Sequence, residues 1–106
     1  MTAILQEVLS ELRDRFQGLY ADRLADMILF GSQARGEAED ASDIDVLVVL
    51  IGRVNPADEV SKSSEIVADI SLRNDVVISC VFIDEESFLH RNGPLLRNVR
   101  REGIRV

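Results

Sequence analysis

Apolar positions along this chain fall into two alternating patterns, helical stripes and short continuous runs. Ile4, Leu5, Val8, Leu9, Leu12 and Phe16 recur at helical spacing and predict an amphipathic leading helix, stopped at Gly18. "DMILF", residues 26–30, predicts a short buried strand that runs straight into Gly31-Ser32. "SQARGE" has the propensity to open a helix there, and the acidic, small-residue stretch from Glu37 to Ser42 reads as a loop. Residues 43–51 carry the strongest strand signal, ended by Gly52. Asn55-Pro56 then supplies a cap residue and a proline at the first helical position, with Asp58 and Glu59 in the first turn. That helix is expected to turn Val60, Ile66, Val67 and Ile70 inward and to fade near Arg73-Asn74.

"DVVISCVFI", residues 75–83, reads as a third strand. Asp84 can cap a short helix reaching about Arg91, Gly93-Pro94 breaks it, and "PLLRNVRRE" forms a last helix with Gly103 as its stop. Ile104 to Val106 can add an edge strand. Helices and strands alternating in this order predict an α/β or α+β two-layer domain, with a sheet of three or four strands covered by helices.

Size and composition narrow the function classes. At 106 residues the chain is expected to be one domain, with little room for a separate substrate-binding unit. Its longest uninterrupted apolar stretch, Val46 to Ile51, is too short to span a bilayer. The N-terminal "MTAILQEVLSELRDR" is acid-containing and amphipathic without signal-peptide architecture, so a cytoplasmic address is expected. A single cysteine, Cys80, rules out an internal disulfide and a multi-cysteine zinc site, and its setting in "VVISCVFI" marks it as a buried structural thiol. His90, the only histidine, has no partner at ligand spacing and is expected on a solvent-facing helix. The net charge of −7 argues against a general phosphate-backbone binder. It is unevenly spread. Residues 91–106 hold Arg91, Arg97, Arg100, Arg101 and Arg105 against Glu102 alone, an arrangement that suits a partner surface or the end of a helix dipole.

The candidate chemistry lies in "GSQARGEAEDASDIDVLVVL", residues 31–50. Side chains alternate along a strand, so Asp43 and Asp45 point the same way, about 6.5 to 7 Å apart, while Ile44, Val46, Val48 and Leu50 point toward covering helices. Two such anions raise each other's pKa unless a cation lies between them. Magnesium accepts one or two carboxylates together with substrate phosphates, and a pair of metal ions about 3.5 to 4 Å apart fits carboxylates at this spacing. Gly31-Ser32 supports the same chemistry. A strand turning at a glycine into a helix presents free backbone N–H groups, glycine permits close approach by phosphate, and the Ser32 hydroxyl adds a donor. Arg35, one turn on, either touches a triphosphate or braces the acidic loop.

G-S, ten residues, then D-x-D resembles the signature of the DNA polymerase β-like nucleotidyltransferase superfamily. The G-S-x-A-R-G start and S-D-I-D-V-L-V finish resemble its smallest branch, the minimal nucleotidyltransferase (MNT) proteins of bacteria and archaea. The resemblance implies a two-layer fold, a mixed sheet of three to four strands with helices on one face. It also implies three acids around Mg²⁺, two ions in all, and transfer of a nucleoside monophosphate, AMP from ATP. Asp43 and Asp45 match the paired ligands. The third acid is expected on a neighbouring strand, and Asp75 is the candidate because it opens "DVVISCVFI", with Val77 and Ser79 on the same face. Asp75 can alternatively end the turn after Arg73-Asn74. Asp69 and the acids at 84–86 fall on helices or helix starts and fit less well. Gly31 and Ser32 would grip the phosphates.

Minimal members of the family are commonly paired with a small helical HEPN protein as a toxin–antitoxin system. The resemblance therefore implies adenylylation of a partner protein, with a nucleoside triphosphate as co-substrate; the short apolar runs imply no membrane, and the acidic balance disfavours a nucleic-acid acceptor. The alternatives are a non-catalytic module that neutralises a HEPN-type partner by contact, and an antibiotic-type adenylyltransferase acting on a small molecule. Homo- or hetero-oligomers are compatible with all three.

Overall fold

A computed structural model describes residues 1–37 and 43–106. Helix α1 spans Ala3–Tyr20 and is capped by Thr2, whose hydroxyl accepts from the Leu5 N–H. It passes through Gly18 rather than stopping there, because Tyr20 one turn after Phe16 has a buried place to occupy. Ile4 lies outside the buried stripe and is 61% exposed. A single 3₁₀ turn, Ala21–Arg23, leads into strand β1, Leu24–Phe30. The short helix α2, Ser32–Arg35, follows, then β2, Ile44–Leu50. Helix α3, Pro56–Asn74, starts at Asn55, whose side chain accepts from the Asp58 N–H. Strand β3, Ile78–Asp84, is followed by α4, Glu85–His90, α5, Pro94–Glu102, and the two-residue strand β4, Ile104–Arg105. Asp84 caps α4 by accepting from the Ser87 N–H, as its sequence position suggested.

The sheet is mixed, in the order β3-β2-β1-β4. β1 pairs antiparallel with β2 and with β4, while β2 and β3 run parallel around the α3 crossover. Alternation along β2 divides its side chains between two packed layers. Val46, Val48 and Leu50 join Leu12 and Phe16 of α1, Ile70 of α3 and Phe82 of β3 in the larger core. Leu47 and Val49 point the other way, onto Leu96 and Val99 of α5 and Ile28 of β1. Helices therefore lie on both faces, not on one: α1 and α3 cover one side, and α5 covers part of the other with Phe88 of α4 beside it.

In α3 the inward stripe is Glu59, Ser63, Ile66, Val67 and Ile70, whereas Val60 is 53% exposed. The phase is set by Ile70 and counts back in steps of three and four to Ser63 and Glu59, a polar start that hides the stripe in sequence. Glu59 lies buried near Tyr20, and burial first, then the Glu59 charge, pushes the Tyr20 phenol pKa up. On the outer surface Arg15 and Arg73 bridge Glu11 of α1 and Asp69 of α3, and these guanidiniums hold both carboxyls below their usual range. Cys80 packs against the larger core, and burial pushes its thiol up to about 12, which makes it an unreactive structural group. His90 is exposed at the end of α4. Among the described residues no helix is long and apolar enough to cross a membrane.

Candidate active site

β1 and β2 bring the two halves of the motif together. Phe30, the last residue of β1, pairs with Asp45 near the start of β2, so Gly31 emerges directly over that carboxylate. The contact is close: a Cβ at Gly31 would lie 2.6 Å from Asp45 Oδ2. Gly31 also adopts φ 76° and ψ −157°, a region essentially reserved for glycine. Both the room and the backbone direction therefore require glycine here. Ser32 begins α2, a single turn whose Gly31 C=O accepts from the Arg35 N–H at 3.2 Å and which ends on Gly36 at φ 72°. One turn has little macrodipole, so any grip on phosphate comes from the first-turn N–H groups and the half-buried Ser32 hydroxyl.

Asp43 is exposed immediately before β2, and Asp45 is half-buried as its second residue. The Asp45 pKa is raised, first by desolvation and second by the Asp43 charge. A cation between the two groups would offset both causes by favouring the ionised carboxylates. The donors are hard carboxylate oxygens, which fit magnesium and do not fit a soft metal.

Parallel register places Ser79 of β3 beside Asp45, and Val81 beside Leu47. The expected third acid is not on this strand. Asp75 does not open β3; it lies three residues ahead of Ile78, exposed, in the left-handed conformation (φ 52°) that closes α3, its N–H donating to the Ser71 C=O. The alternative role, ending the helix turn, is the one it occupies. An apolar run behind an acid reads the same whether the acid starts the strand or precedes it, and only the helix end distinguishes the two. Ser79 does face the site, as the alternation required. Among the described residues no group of three or more histidine, cysteine or acidic side chains could hold a metal ion. Asp69 is engaged by arginines between α1 and α3, and Asp84 by the α4 cap. Residues 38–42 of the expected acidic loop lie outside the described residues.

Arg35 is held by carboxylates. Its guanidinium bonds Glu37 at 3.0 Å and Glu102 at 3.2 Å, and the Glu37 bond leads the causes that raise its pKa. It therefore braces the start of the acidic loop and ties α2 to the end of α5. Glu102 was not identified from sequence. It is 67 residues from Arg35, and no local spacing announces the pairing. The other C-terminal arginines are partly used in folding: Arg100 donates to the Phe88 and Arg91 carbonyls, and Arg105 pairs with Asp26 at 3.0 Å.

Comparison with known proteins places these residues in context. The nucleotidyltransferase domain family matches residues 5–104. Two proteins of Methanocaldococcus jannaschii, each named a "putative protein adenylyltransferase", are similar in sequence. One is 34% identical over 74% of this chain and 88% of its own length; the other is 33% identical over 93% and 90%. A solved structure described as a "putative minimal nucleotidyltransferase" superposes with a TM-score of 0.57 at 26% identity, covering 94% of each chain. The fold recurs in a complex of a tri-AMPylated Shewanella oneidensis HEPN toxin with its MNT antitoxin (TM-score 0.54, 15% identity, 92% of this chain and 70% of that one). It recurs again in a spectinomycin adenyltransferase of Enterococcus faecialis with ATP and spectinomycin (TM-score 0.70, 14% identity), of which this chain covers 55% while 95% of its own length is used.

Proposed function

The chain belongs to the nucleotidyltransferase domain family, as a nucleotidyltransferase of the minimal, MNT kind, and from that premise we propose that it moves AMP from ATP onto a hydroxyl of a partner protein. The observation that carries this reading is the close approach of Gly31 to Asp45, which sets the Gly-Ser turn against one carboxylate of the pair. Asp43 and Asp45 are the residues that would hold magnesium. When bound, the ion supplies positive charge to the triphosphate and to the departing pyrophosphate. The turn at Gly31 sets Ser32 and the first-turn N–H groups beside Asp45, where they would donate to a phosphate oxygen. Arg35 stays on Glu37 and Glu102, keeping α2 in place against the sheet. Asp75 takes no part.

In the transfer the acceptor oxygen bonds to the α-phosphorus, the bond from that phosphorus to the β-bridging oxygen breaks, and pyrophosphate leaves. The hydroxyl proton passes to water. Positioning and charge neutralisation account for the acceleration. The protein acceptor is supported by the names of the two sequence relatives, and a small HEPN-type helical partner by the fold shared with the Shewanella complex. The cytoplasm, where ATP is abundant, suits this role. One observation favours a second reading, neutralisation of such a partner by contact without transfer: no third carboxylate joins Asp43 and Asp45 among the described residues.

Incubation with α-³²P-ATP and Mg²⁺ in lysate of the native host separates the two. Wild type and Asp75→Asn are expected to label one small protein band. Asp43→Asn/Asp45→Asn should lower labelling by about 100-fold or more, since charge stabilisation at the phosphates is lost. A band labelled equally by γ-³²P-ATP would indicate phosphorylation instead. No labelled band in any lane would leave the contact reading.

A further inference from the structure

β3 is an edge strand, and its open side lies one strand away from the carboxylate pair. The Ile44 N–H donates to the Val77 C=O, which fixes the direction of every group on β3. Val77, Ser79 and Val81 turn their backbone groups toward β2. Ile78, Cys80 and Phe82 turn theirs outward, where they meet no partner among the described residues. Nothing in the sequence of this edge blunts it. "ISCVFID" has no lysine, no proline and no charge before Asp84. On the site face Val77, just ahead of β3, is 57% exposed and Val81 within it 38%, on either side of the small Ser79 that neighbours Asp45.

We propose that this edge docks an extended segment of the protein acceptor as an added strand, running alongside the active site. The proposal rests on the protein-acceptor reading above. Backbone N–H and C=O groups of Ile78, Cys80 and Phe82 supply the ladder, and Val77 and Val81 receive apolar side chains on the site face. An added strand lies about 4.8 Å beyond β3, roughly two strand spacings from β2. A side chain of the segment facing the site passes over Ser79, the one small residue in its path, toward Asp45. Charge selects the occupant. The chain carries a net −7, so a second copy repels itself at an edge beside its own acids, whereas a basic segment is attracted.

Amide hydrogen exchange tests the edge directly, on the full chain with Mg²⁺ and α-³²P-ATP present. The probe is a synthetic decapeptide of alternating lysine and valine with a central tyrosine, or serine in a second version; a proline-interrupted copy is the control. The amides of Ile78, Cys80 and Phe82 should exchange fast in the free protein and slow by about tenfold with either peptide, while Ser79 and Val81 are slow throughout. The proline copy should slow nothing. Cys80→Pro, which removes the central outward N–H, should abolish the effect, as should Val81→Lys if the proline variant fails to fold. No slowing at the three amides with millimolar peptide overturns the docking edge, and so does equal slowing by the proline copy. Slowing without transfer of label leaves the edge standing and counts against the transferase reading. Label without slowing does the reverse.

Discussion

The two faces of the sheet are made by alternate residues of the same strands, and they differ in kind. On one, Val46, Val48 and Leu50 meet Leu12, Phe16 and Ile70 with essentially no exposed surface. On the other, Leu47 and Val49 are covered by Leu96 and Val99, and among the described residues the cover ends there. Beyond it Asp45 and Ser79 are half-buried and Asp43, Val77 and Val81 are exposed. The closed face has its apolar groups fully removed from water. The half-open face keeps a carboxylate whose ionised form the fold disfavours, and a backbone conformation available to glycine alone. Stability is concentrated on one side, and groups that cost stability on the other.

Truncation tests this division most strongly. Phe16→Ala opens a cavity in the closed face and should cost about 3–5 kcal/mol, read as a lower urea midpoint with little change in slope. Val81→Ala on the half-open face removes an exposed side chain and should stay within about 0.5 kcal/mol. Similar losses from both variants would mean that the faces do not divide the work.

The closed face was the more legible of the two in sequence. Leu5, Val8, Leu9, Leu12 and Phe16 announce their helix by spacing, and the apolar run at 44–51 announces β2. The meeting of the Gly31-Ser32 turn with the start of β2 at Asp45 was also readable, because a Gly-Ser turn after one strand and an acid pair opening the next are local features. What was not readable depended on distance or phase. Glu59 replaces Val60 on the inner stripe because the stripe's phase is fixed further along, at Ile70. Asp75 was placed on the wrong element because α3 runs to Asn74 and uses Asp75 as its cap. The Arg35–Glu102 pair joins residues that only the folded sheet brings together. The cover on the second face was missed for a related reason. Leu96 and Val99 look like any short helical pair until Leu47 and Val49, read simply as part of a buried run, are seen to need a partner.

Gly31→Ala sharpens the comparison at the half-open face. The added methyl enters a glycine-only conformation, at a cost of about 1–3 kcal/mol, and it also meets the Asp45 carboxylate. Thermal unfolding should show the modest loss. The rate of AMP transfer should fall by more than that loss alone explains, because the same methyl displaces the Asp45 carboxylate proposed to hold magnesium. If transfer is unchanged while stability drops, Gly31 is a structural glycine and the phosphate turn lies elsewhere.

The smallest effect concerns Asp45 itself and has a definite sign. Its folded pKa lies above the ordinary 3.8, so the folded state holds the proton more tightly than the unfolded chain. Stability from this group is therefore gained as pH falls through the folded pKa and is complete below the unfolded one; at neutral pH it is a liability. Asp45→Asn removes the liability. The variant should be slightly more stable than wild type at pH 7, and the gap should close as pH falls toward 3.8. Glu11, Asp69 and Asp84 have lowered pKa values and lose stability in acid, but they do so equally in both proteins and cancel in the difference. A gap independent of pH would show that the asparagine acts through packing rather than charge. Magnesium with ATP should then invert the order at pH 7. A ligand at 100 times its dissociation constant stabilises the folded state that binds it by about 2.7 kcal/mol, and only wild type keeps the carboxylate pair proposed to bind it.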